Sequence, residues 1–87
     1  MTHDEHLEKE FPLECCVRIV AADVAGVSEE IGRVLGELGF VVAVLRGNAS
    51  SGGRYISFHV SLTFATLALM RRTHAALAGI AEVKMVL

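Results

Sequence analysis

From Leu13 the chain alternates: Leu13, Cys15, Val17, Ile19 and Ala21 fall on one side, and Glu14, Cys16, Arg18 and Val20 on the other. A period of two marks a strand with one buried face. The period then lengthens, because Val27, Ile31, Val34, Leu35 and Leu38 recur at helical spacing and share one stripe. Asp23 or Ser28 is placed to cap this helix and Gly39 to end it, while Glu29, Arg33 and Glu37 lie four apart on the wet side. Gly32 and Gly36 each cost about 1 kcal/mol relative to Ala inside a helix. With Ser28 they form a flank of small side chains that would let another element or subunit come close.

Residues 40–45 read as a second strand, and residues 54–62 as a third with clean alternation. The turn formers between them, residues 47–53, predict a hairpin loop. Thr66 is placed to cap a second helix with Leu67, Met70, His74 and Leu77 inside, Gly79 closes it, and residues 82–87 complete the pattern as a last strand. The order is β-α-β-β-α-β. Two βαβ halves with right-handed crossovers give an α+β, ferredoxin-like sandwich: a four-stranded antiparallel sheet with both helices on one face. The first and third strands are then central, and Cys16, Arg18, Tyr55, Ser57, His59 and Ser61 point to the open face.

Composition narrows the function classes. At 87 residues the chain falls below the usual domain size of about 100–150, so residues 11–87 are expected to form one domain behind a disordered arm, residues 1–10. A core this small gains from partner contacts, which makes a homodimer an expected state. No apolar run reaches the roughly 18–20 residues that cross a bilayer, and residues 1–6 lack a secretory pattern, so a cytoplasmic protein without membrane contact is expected. The net charge of −2, with cations scattered over several elements, argues against nucleic acid as a partner.

The chemistry-bearing residues are few. Cys15 and Cys16 are adjacent in a strand, so their side chains diverge and both should be free thiols. His3 and His6 make too small a ligand set for a metal site, and no cofactor is expected. His59 and His74 fall on opposite sides of the predicted sheet and cannot cooperate, which argues against an enzyme. What remains is the turn of Asp23, Val24, Ala25, Gly26 and Val27. A turn at the head of a helix leaves backbone N–H groups pointing outward, and Gly26 lets another group approach them. These five residues are the candidate ligand-binding site.

The stretch from residue 18 to 42 resembles the ACT domain family, whose pattern is a strand, Asp-x-Pro-Gly with Val or Leu, an amphipathic helix ending in Gly, and a second strand. Asp23, Gly26 and Val27 match it, while Ala25 stands where Pro is commonest. The resemblance implies a non-enzymatic regulatory domain that senses a small metabolite, often an amino acid, at a dimer interface through the first strand–helix loop. Amino-acid-binding members often carry Asn where this chain has Val41. Phe11-Pro12, Ser50-Ser51 with Gly53, Tyr55-x-Ser57 and the ending Val83-Lys84-Met85-Val86-Leu87 resemble the small standalone YbeD-like members. Gly52 replaces a residue that is commonly basic there. Membership implies either such a sensor or a ligand-free adaptor that docks a partner protein, and Val41 favours the adaptor.

Overall fold

The computed structural model describes residues 10–87, so the predicted arm and the His3/His6 pair lie almost wholly outside the described residues. In chain order the elements are β1 (Leu13–Ala22), α1 (Val27–Glu37), β2 (Leu45–Ala49), β3 (Tyr55–Phe64), α2 (Leu67–Ala78) and β4 (Val83–Val86). The strands form one antiparallel sheet in the order β2-β3-β1-β4. This is the ferredoxin-like βαββαβ arrangement, with β1 and β3 central. Their ladder runs unbroken from Leu13 opposite Phe64 to Ala22 opposite Tyr55.

That register sets the two faces of the sheet. Val17, Ile19 and Ala21 of β1 and Ile56, Phe58, Val60, Leu62 and Phe64 of β3 are buried together with Ile31, Leu35 and Leu77 of the helices. Phe64 is a hub: Phe40 meets its ring edge-on at 5.8 Å and His74 at 6.2 Å. Thr73, fully buried on α2, was not among the predicted inner residues; its hydroxyl donates to Leu69 O at 2.8 Å, which satisfies it inside the core. The cysteines are free, Cys15 half-buried and Cys16 exposed.

The second strand departs from expectation. The apolar run 40–44 forms no ladder, and the strand is instead Leu45–Ala49, which takes in three residues of the predicted loop. The reason lies at the end of α1. Gly39 adopts φ +95°, its N–H donates to Gly36 O, and the Phe40 N–H reaches back to Leu35 O, a Schellman termination that commits Phe40 to the helix exit. Val41 is consequently 100% exposed rather than facing the core. The hairpin tightens to a turn in which Gly53, at φ +69°, donates to Ser50 O and Ser50 donates to Tyr55 O.

Helix α2 starts as expected, with Thr66 Oγ1 accepting from Leu69 N at 3.1 Å. Helix α1 does not. Its N-cap is Gly26 with no side-chain cap, so neither Asp23 nor Ser28 fills that role; Asp23 is held by Arg46 instead. The small flank of α1 also differs from expectation within the chain, because a Cβ at Gly32 or Gly36 would meet nothing within 4 Å.

Candidate functional site

The five predicted residues occupy the exposed connection between β1 and α1. Asp23 donates its N–H to Arg54 O at 3.0 Å, and its carboxylate accepts from Arg46 at 3.1 and 3.2 Å. Val24 is half exposed and donates to Ala22 O. Gly26 turns the chain at φ +87°, a conformation that side-chain-bearing residues rarely adopt, and α1 begins at the buried Val27. The Val27 N–H donates to Val24 O at 3.4 Å and the Glu30 N–H to Gly26 O at 3.0 Å, so with no side-chain cap the Ser28 and Glu29 amides are the ones left to solvent or a ligand.

Ala25, Gly26 and Val27 line one wall of an open groove of about 610 Å³, and Asp23 and Val24 do not. The opposite wall comes from the end of α2 and the turn into β4: Ala75, Ala76, Gly79, Ile80, Ala81 and Glu82. Sequence reading missed this wall. Its only trace there is the crowding of small residues between 75 and 81, which looks like an ordinary helix end. The fold brings the two walls together because both helices pack on the same sheet face and α2 ends beside the start of α1.

The charges are unevenly placed. Glu29 and Glu30 fill the first turn of α1, where the helix dipole favours them. Arg33 grips Glu30 through Nε at 2.9 Å and Glu37 through Nη1 at 2.6 Å. That hydrogen bond with Arg33 holds the Glu30 carboxyl below its usual range. Glu30 is thus ionised and paired with Arg33, while Glu82, on the other wall of the groove, has no ion pair among the described residues. The groove therefore sets the Gly26 turn at the start of α1 against Glu82 over an apolar floor of Val27, Val34 and Ile80, with the Ser28 and Glu29 amides beyond its lining. A small molecule bearing both an anionic and a cationic group matches that layout.

The histidines do not meet: His59 lies on β3 next to Gly47, on the open face, and His74 packs on Phe64 beneath the sheet. Among the described residues no cluster of His, Cys, Asp and Glu could hold a metal ion. No helix among them is long and apolar enough to cross a membrane.

The solution structure of protein HP0495 from H. pylori matches with a TM-score of 0.75 at 14% identity, covering 88% of this chain and 82% of that one, a likeness of fold. No curated protein matches. The family profile described as a protein of unknown function, DUF493, matches residues 7–87, nearly the whole chain, and this protein therefore belongs to the DUF493 family.

Proposed function

We propose that this chain is a non-enzymatic regulatory protein of the ACT-like kind, which senses a small zwitterionic metabolite, an amino acid or a close relative, at a homodimer interface. The observation that carries the reading is the groove, with the Gly26 turn at the uncapped start of α1 on one wall and Glu82 on the other. A carboxylate on the amides gains charge-assisted hydrogen bonds, and an ammonium on Glu82 offsets the negative first turn. The groove is open, so a second copy that closes it would remove the ligand from water and strengthen both contacts.

A thermal-shift panel of amino acids and related metabolites tests this. A ligand present at 100 times its dissociation constant adds about 2.7 kcal/mol, roughly 10–20 °C in Tm for a domain of this size. Gly26→Asp should abolish the shift by placing a carboxylate against the amides. Glu82→Gln, a milder change, should weaken it in a chain that still folds. Unchanged binding in both variants removes the groove from consideration, and light scattering with and without the ligand decides the dimer.

A second reading is favoured by a different observation. Val41 and Val42 are exposed just before β2 in a run that forms no ladder, and Leu45, the first residue of β2, is exposed after them, as a surface for a partner strand would be. In that case the panel is blank and the chain is an adaptor.

A further inference from the structure

The open face of the sheet carries a second cleft, of about 160 Å³, on the side away from the helices; it is lined by Arg18, Val20, Asn48, Ser50, Tyr55 and Ser57 among others. We infer that this cleft is an oxyanion-binding site that takes a phosphate or carboxylate group of a small molecule on Arg18, with Lys84, over the ring of the lining residue Tyr55, as the second cation beside it.

Three features of the sheet converge on it. Ser57 is only 6% exposed although it points out of the core, because Arg18 lies over it, with Nε and Nη2 aimed at its hydroxyl at 3.4 and 3.3 Å. Those long contacts hold the guanidinium against Ser57 and engage only part of its five-donor fork. Both irregularities of the sheet also flank this spot. On the β2 side the register slips between Arg46 and Ala49, so that Gly47 and Asn48 share the position opposite Ser57. On the β4 side it slips between Val20 and Ala21, which leaves Lys84 as the extra residue. Bulges re-aim side chains. Here one brings Asn48 to the cleft, and the other carries Lys84 across to stand 5.7 Å from the centre of the Tyr55 ring.

The charge has one sign. No carboxylate lines the cleft, and neither Arg18 nor Lys84 forms an ion pair among the described residues, where Arg33 and Arg46 do. Around Arg18 and Lys84 stand neutral groups suited to oxygen ligands: the Ser57 hydroxyl, the Asn48 amide and Ser50, whose Oγ also accepts from the Tyr55 N–H at 3.1 Å and pins the hairpin. Ser50, Tyr55 and Ser57 are the hairpin residues singled out in the sequence, and the groove at α1 uses none of them. An arginine fork with a nearby lysine and hydroxyls is the donor set that planar or tetrahedral oxyanions select.

The test is an amide-resolved NMR titration of the whole chain with inorganic phosphate and, separately, with acetate, each against sodium chloride at matched ionic strength. The expected result is saturating shifts at Arg18, Tyr55, Ser57 and Lys84 with one or both probes, and the probe that saturates first tells a phosphate from a carboxylate site. Arg18→Gln, an exposed substitution, should lower the affinity at least tenfold, and Lys84→Gln at least threefold. Shifts that fail to saturate, or that appear equally at Arg71 and Arg72, overturn the inference, as does full affinity in folded Arg18→Gln. Because Ala25 and Gly26 report on the groove separately, failure at one site is distinguishable from failure at the other.

Discussion

Replacing Gly32 and Gly36 of α1 with alanine should make this protein more stable. Both lie inside a helix, neither has a positive φ, and a Cβ built at either would touch nothing within 4 Å. The substitution therefore adds no clash. It narrows the unfolded chain's conformational freedom and adds helix propensity, for a gain of about 0.5–1 kcal/mol per site. The pair together should give about 1–2 kcal/mol, against a total near 4–13 kcal/mol for 87 residues at the usual stability per residue. In Tm that is a rise of roughly 4–16 °C. Urea unfolding followed by far-UV circular dichroism measures it as a higher midpoint at constant slope. An unchanged or lower midpoint at every protein concentration would refute the reasoning. A loss confined to high concentration would instead reveal a second copy resting on this flank.

Three further outcomes follow from the same contacts. Thr66→Ala removes the cap on Leu69 N and should cost about 1 kcal/mol, read in the same urea assay. Gly39→Ala puts a Cβ on a residue at φ +95° and should cost about 1–2 kcal/mol. Arg33 keeps the Glu30 carboxylate ionised to lower pH than in the unfolded chain, so the pair's contribution is present above the ordinary carboxylate pKa and lost as pH falls through the lowered one. Stability against pH below neutral should thus be flatter in Glu30→Gln than in the parent.

Element type was legible because it depends on near neighbours. The alternation through Val17, Ile19 and Ala21 and the stripe of Ile31, Val34 and Leu35 each follow from a backbone period meeting one apolar phase, and the buried residues are those the periods select. Thr66 is similar, since a hydroxyl three residues from the amide it bonds is a local relation. The run 40–44 misled for an instructive reason. Six apolar residues between 40 and 45 look like a strand, but the helix exit at Gly39 takes Phe40 onto Phe64, and the ladder begins only at Leu45.

Side-chain partners distant in sequence had no such local signal. Asp23 looks like a cap until Arg46, on a strand two elements later, is seen to hold it. The candidate site was half visible: the start of α1 shows in its turn residues, whereas the wall from Ala75 to Glu82 does not. Ser57 likewise counts as an outward residue by alternation, yet it is buried, with Arg18, 39 positions away, against its hydroxyl.

By itself, then, the chain determined its helices, its first, third and last strands, the order of the elements and the apolar face of the long ones, since those rest on dihedral preference and periodicity within a few residues. Tertiary structure alone decided the strand registers with their two slips, the pairing of Asp23 with Arg46 and the meeting of the groove's walls. These depend on which distant segments come to lie together, a choice made by packing the whole core at once and encoded in no single stretch of the chain.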